Sequence, residues 1–268
     1  MKEGTWITGA VMVPHPPMIL PEVGGRRAEI IRETKEAYEE AMAFLAKGQP
    51  ETVIVISPHS VMYRDYLHIS PGEGAEGSMA QFGAGQVRFR ETYDTKFVQA
   101  LCDKCAAEDF PAGCDGQREA ALDHGTMVPL YFLEKQTRDF RLVRMGISGI
   151  SLSMQYRFGR WITETAEKLK RRTAIIASGD LSHRLQETGP YGFHPSGPVY
   201  DEKVMDVMGR GAFRELLDFS PTLLDEAAEC GHRSFVIMGG ALCDLEPRPR
   251  RLSHQDVTGV GYGVCIYE

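Results

Sequence analysis

His15, His59 and His183 each follow an apolar run that ends abruptly. Gly9-Ala10-Val11-Met12-Val13 leads into Pro14-His15-Pro16, and Thr52-Val53-Ile54-Val55-Ile56 into Ser57-Pro58-His59. Thr173-Ala174-Ile175-Ile176-Ala177 leads into Ser178-Gly179-Asp180-Leu181-Ser182-His183. Imidazole at neutral pH is both a metal ligand and a proton carrier. Two imidazoles and one carboxylate on one face hold a divalent metal with positions left open, as non-haem iron sites do. His15 and His59 are the imidazole candidates, and Glu229, Asp180 and Asp123 are the carboxylate candidates. His183 is assigned the acid/base role. His124, in Asp123-His124-Gly125, is assigned a hydrogen bond to substrate or to bound oxygen, or the orientation of a ligand.

Residues so far apart converge only if strands deliver them. Short β-branched runs bounded by Pro and Gly have the pattern of buried strands, and open α/β sheets bind their ligands beyond the carboxyl ends of strands. Ile30, Ile31, Ala37, Tyr38, Ala41, Met42 and Leu45 recur at helical spacing and predict a helix over Arg26–Ala46, which makes a parallel β-α-β unit of the first two strands. Alternation predicts strands at Tyr66–Ser70 and Val87–Arg90, joined by a flexible Gly-, Ala- and Ser-rich loop over Gly72–Gly85 that could cover a pocket. Helices are expected over Thr95–Glu108 with Asp94 as N-cap, and over Ser153–Lys170, Val199–Met208, Phe213–Leu217 and Pro221–Ala228. Ser234–Leu242 is expected as a buried helix, and Gly259–Tyr267 as a closing strand. The expected architecture is α/β, one domain over residues 1–268.

Of the 268 residues, 43% are hydrophobic and 25% charged, which is ordinary for a globular enzyme, and the net charge of −7 argues against nucleic acid as a partner. Met1–Trp6 is too short and polar for a signal peptide, and no apolar run approaches a membrane span, so a cytoplasmic setting is expected. Six cysteines, at 102, 105, 114, 230, 243 and 265, are then reduced thiols. Cys102-Asp103-Lys104-Cys105 is a C-x-x-C on a helix, but it lacks a fourth ligand at zinc-site spacing.

Pro14-His15-Pro16, Ser57-Pro58-His59, Asp123-His124-Gly125 and Ser178–His183, in this order across nearly the whole chain, resemble the class III extradiol ring-cleaving dioxygenases. The likeness is to the LigB-type catalytic subunit of protocatechuate 4,5-dioxygenase and to Memo-like proteins. It implies a three-layer α/β fold around a mainly parallel mixed sheet, with Fe(II) on His15, His59 and Glu229, acid/base work by His183, and His124 in the active site. It implies O2-dependent cleavage of a small catechol-type ring, with a small helical partner subunit or a second copy of the chain. Glu229 stands off the family's spacing, and Cys230-Gly231-His232-Arg233 resembles the Memo-like version. With Cys230 as a ligand, zinc or copper is the expected metal, in a metal-binding or redox protein or a non-oxygenase enzyme.

Overall fold

The computed structural model describes residues 4–116 and 121–268. The leader expectation at Met1–Trp6 begins outside them. In chain order the elements are β1 (Ile7–Val13), α1 (Pro21–Gly24), α2 (Arg32–Lys47), β2 (Thr52–Ile56), β3 (Leu67–His68), β4 (Gly74–Met79), β5 (Ala84–Thr92), α3 (Thr95–Ala107) and β6 (Ala112–Gly113). They continue with α4 (His124–Leu133), β7 (Arg141–Met145), α5 (Leu152–Leu169), β8 (Thr173–Ser178), α6 (Ser196–Arg210), α7 (Pro221–Ala227), α8 (His232–Leu242), β9 (Pro249–Gln255) and β10 (Tyr262–Tyr267).

The main sheet has the order β7-β2-β8-β1-β10-β9. β7, β2, β8 and β1 are parallel, while β10 and β9 run antiparallel at one edge. Both faces are covered. Ala10, Met12, Ile54, Ile56, Ile175 and Ala177 point into one core, under α3, α5, α6 and α8. Val11, Val13, Val53, Val55, Ala174 and Ile176 point into the other, under α2, α4 and the β4–β5 hairpin. Each buried Val or Ile contributes about 1.5–3 kcal/mol, and a one-residue slip of any central strand would exchange the two sets. Register is therefore held by packing, and with it the place where each strand stops.

That stopping place positions the site. β8 lies between β2 and β1, so the three carboxyl ends predicted to carry histidines are adjacent. β1 and β2 are parallel as expected, with β8 inserted between them. Asp94 caps α3 by accepting the Phe97 N–H at 3.1 Å, as expected, and also takes the Thr52 hydroxyl of β2.

Several boundaries differ from the sequence reading. Gly25–Ile31 winds as a 3-10 helix before α2 begins at Arg32, Phe213–Asp218 is also 3-10, and the buried helix α8 opens at His232. The expected loop Gly72–Gly85 contains the strand β4, paired antiparallel with β5, and a 3-10 turn over Ala80–Phe82. Its Gly and Ser residues leave little propensity signal, and the ladder to β5 supplies the order. The Tyr66–Ser70 strand shrinks to β3, which pairs in parallel with β6. No helix among the described residues is long and apolar enough to cross a membrane.

Candidate metal centre

Among the described residues two sets of ligand atoms lie within 4.8 Å of one another, His15/His59/His124 and His15/Asp180/Cys230, and they share His15. His15 follows β1, His59 follows β2, Asp180 follows β8, His124 is the first residue of α4, and Cys230 lies between α7 and α8.

Hydrogen bonding fixes which nitrogen of His15 is free. Ser178 Oγ–H donates to the Gly125 carbonyl at 2.6 Å, so its oxygen accepts from His15 Nδ1–H at 3.0 Å. With the proton on Nδ1, His15 Nε2 keeps its lone pair. That lone pair faces His59 Nε2 at 3.0 Å and Cys230 Sγ at 3.5 Å. The His15 ring is buried and meets both other imidazoles edge-on, at 4.7 Å from His59 and 5.3 Å from His124; His59 and His124 are 4.0 Å apart. Burial, then the neighbouring His59, hold His15 well below its ordinary pKa. Burial and the other two rings bring His124 down to about 4.

These positions suit one shared ion. His15 Nε2 lies 3.0 Å from His59 Nε2 and 3.5 Å from Cys230 Sγ, close enough that these donors would hold one ion between them.

Asp180 spans the two ends of the site. Its Oδ1 accepts the His15 N–H at 2.8 Å, and its Oδ2 lies 4.0 Å from both His15 Nε2 and His183 Nε2. Burial raises its pKa, opposed by that N–H and by the surrounding imidazoles. His183 is held by the end of α7. Its Nδ1–H donates to the Ala228 carbonyl at 2.5 Å, and its N–H to the Ala227 carbonyl at 3.1 Å. A carbonyl can only accept, so His183 Nε2 is the free base, aimed past Asp180.

The loops touch closely. Ser57 Oγ–H donates to Asp123 Oδ1 at 2.5 Å, and Asp123 caps α4 through the Thr126 N–H. A side chain on Gly125 would overlap Ser57 Oγ, so this residue must be glycine for His124 to sit against His59. Arg144 on β7, wholly buried, donates from Nε to Ser60 Oγ at 3.2 Å and from Nη1 to the Ala121 carbonyl at 2.7 Å, tying together the loops of His59 and His124. A cleft of ≈ 630 Å³ opens beside His59 and His124, walled by Ser78, Gln81 and Arg88 of the β4–β5 hairpin. Tyr191 stacks edge-on over His183 at 5.2 Å.

Of the residues expected from sequence, His15, His59 and His124 are brought together, and His183 reaches them through Asp180. Glu229 is in neither ligand set. Its carboxylate accepts the His232 N–H at 2.6 Å, satisfying an amide at the start of α8 that has no partner within the helix. Burial pushes that carboxyl up to about 7. Cys230, next in the chain, faces His15 instead, and burial raises its thiol well above the ordinary range. The sequence reading passed over Ser178 and Arg144. An arginine inside the apolar strand Arg141–Met145 was the visible signal for Arg144; Ser178, a small polar residue ending a strand, offered none.

The family model described as the catalytic LigB subunit of aromatic ring-opening dioxygenase matches residues 9–265. A protein of Clostridium acetobutylicum is 31% identical over 98% of this chain and 58% of its own length, so the chain spans little more than half of that relative. The 2-aminophenol 1,6-dioxygenase beta subunit of a Pseudomonas species is 24% identical, over 100% of this chain and 95% of its own. An uncharacterized protein from Escherichia coli K12 shares the fold with a TM-score of 0.63 at 15% identity, covering 97% of this chain and 99% of that one.

Proposed function

The chain belongs to the LigB family of aromatic ring-opening dioxygenase catalytic subunits, and from that premise we propose that it binds Fe(II) through His15 and His59 and cleaves a small catechol-type ring with O2, in the extradiol manner. The observation that carries the reading is the pair of Nε2 atoms facing each other at 3.0 Å, with the His15 tautomer set by Ser178. Residues 1–268 form one catalytic domain in this reading, in a cytoplasmic setting, with a small helical subunit or a second copy of the chain as partner.

When bound, Fe(II) supplies positive charge for an ionised catechol and the electrons that let O2 react with the ring. The protein's part is proton handling and placement. His183 Nε2 takes a proton from a catechol hydroxyl, and the His183 Nδ1–H bond to Ala228 holds the ring as charge develops. Asp180, 4.0 Å from that nitrogen, stabilises the resulting imidazolium. His124 donates to the substrate from the cleft side, with Phe82 edge-on to its ring at 5.5 Å.

A second reading is favoured by one specific observation. Cys230 Sγ, and not the Glu229 carboxylate, stands beside His15 Nε2. A thiolate there suits zinc or copper, in a Memo-like metal-binding or redox protein.

Anaerobically purified protein, loaded with Fe(II) and offered a panel of catechols in an oxygen electrode, separates the two. The first reading expects O2 uptake matched by loss of catechol and a yellow product, with metal retained in Cys230→Ala and lost in His59→Ala. Absence of uptake with every catechol, together with loss of metal in Cys230→Ala, favours the second. Full metal content in His59→Ala overturns both.

A further inference from the structure

Cys102 and Cys105 share a helix, but the thiol that faces Cys102 belongs to Cys114, twelve residues on, with the two sulfurs 3.3 Å apart. All six cysteines are free thiols; Cys102 and Cys114 are half-buried and open to small solutes, while Cys105 is fully buried. The two sulfurs are carried by separately anchored elements. Cys102 is in α3, whose Phe97, Val98 and Leu101 are packed in the core. Cys114 follows β6, and its backbone is pinned on both sides. Ile69 N–H donates to the Gly113 carbonyl at 2.8 Å, Asp115 N–H to Tyr66 Oη at 3.2 Å, and His68 Nδ1–H to the Asp115 carbonyl at 3.1 Å. A disulfide needs the sulfurs at about 2.05 Å, so side-chain rotation of roughly an ångström closes the gap between elements that stay in place.

We propose that Cys102 and Cys114 are a peroxide-reactive dithiol that closes to a disulfide between α3 and the end of β6. The pair lies outside the metal centre, and the proposal stands independently of the reaction assigned there. Either sulfur can donate its S–H to the other, and that shared proton stabilises a thiolate on its partner, with the Cys114 thiol the lowered one. Cys114 serves as the attacking thiolate in the proposed reaction. It attacks one oxygen of the peroxide; the S–O bond forms, the O–O bond breaks, and the departing hydroxide takes a proton to become water. The sulfur, oxidised by two electrons, is now a sulfenic acid. Cys102 sulfur then attacks it; the S–S bond forms, the S–O bond breaks, and the second hydroxide leaves as water with the Cys102 proton. Two thiols and one peroxide give one disulfide and two waters.

The test treats the reduced full-length protein with hydrogen peroxide, blocks the remaining thiols by alkylation and maps peptides by mass spectrometry. The expected result is a Cys102–Cys114 cross-linked peptide lighter by two hydrogens and reversed by dithiothreitol. It should form about tenfold faster than oxidation of Cys243, which is also half-buried but has no facing thiol. In Cys102→Ser, Cys114 should instead accumulate a sulfenic acid captured by dimedone. Full alkylation of both cysteines after peroxide, a Cys102–Cys105 link, or oxidation no faster than at Cys243 overturns the proposal. The wild-type measurement decides even where the variant does not fold.

Discussion

Gly179 and Gly231 meet backbone to backbone: a side chain on Gly179 would overlap the Gly231 Cα, and Gly231 N–H donates to the Asp180 carbonyl at 3.0 Å. This contact draws the segment between α7 and α8 onto the end of β8, and Asp180 N–H then donates to Cys230 Sγ at 3.3 Å. Gly179→Ala should therefore push Cys230 away from His15. The overlap is with backbone, which cannot rotate aside, so the cost should reach the top of the roughly 1–3 kcal/mol typical of overpacking. The expected outcome is a lower urea midpoint with weakened metal binding and an unchanged far-UV circular dichroism spectrum. An unaltered metal affinity would show that the loop contact does not place the ligands.

Ser178→Ala removes the acceptor that keeps the proton of His15 on Nδ1. Substitutions of groups that orient a metal-binding histidine typically cost 10–100-fold in affinity, and a loss of about that size is expected in a competition titration with a chelator. Ser178→Thr, which keeps the hydroxyl, should restore most of it if the methyl group is accommodated. Equal affinities for the wild type and Ser178→Ala would remove Ser178 from the site.

His183→Gln should leave metal content intact and lower kcat by about 10²–10⁴-fold in the catechol assay. The reason is geometric, because the Ala228 carbonyl accepts a hydrogen bond from His183 Nδ1–H, which leaves Nε2 as the basic nitrogen of the ring. Loss of metal in this variant would place His183 among the ligands instead.

Glu91 and Glu134 form a carboxyl pair outside the two candidate ligand sets. Burial first, then the charge and hydrogen bond of Glu134, push Glu91 up to about 8 from the usual 4.5. Glu134 Oε1 is buried with no ionised-state donor, and a protonated Glu91 supplies one. The folded chain thus holds a proton that the unfolded chain releases. Stability from this pair is complete below about pH 4.5 and declines as pH rises towards 8. Urea midpoints measured between about pH 5 and pH 8 should fall for the wild type and fall less steeply for Glu91→Gln, which carries a permanent N–H donor. Parallel slopes for the two proteins would exclude the shared proton.

The parts of the site that were legible in the sequence are those encoded locally. β1, β2 and β8 are apolar runs with turn residues at their ends, and such a run predicts both a buried strand and the direction in which its last residue leaves the sheet. That was enough to associate His15, His59 and His183, with Asp180 one of three carboxylate candidates beside Glu229 and Asp123. Less legible were features that depend on a distant partner. β4 is rich in small residues and is ordered by β5, with the Arg90–Glu76 ion pair at 2.9 Å on its exposed side. β9 is a polar edge strand whose charges, useful for keeping a sheet edge from pairing with other chains, hide it from an apolar pattern. Whether Glu229 or Cys230 turns towards His15 depends on the Gly179–Gly231 contact, which joins residues fifty-two positions apart and leaves no local trace.

The strand order also governs when the metal centre can first exist. β1 pairs on one side with β8 and on the other with β10, and both come from the last hundred residues of the chain. During synthesis from the N-terminus, His15 therefore rides on an apolar strand with both edges open until most of the polypeptide has emerged. Pairings over such separations are slow, and an exposed apolar strand is the feature through which nascent chains aggregate. His59 and β2 are likewise joined to β1 only through β8. The metal capture proposed for His15 and His59 would thus have to wait until β8 has zipped between the two strands that carry them.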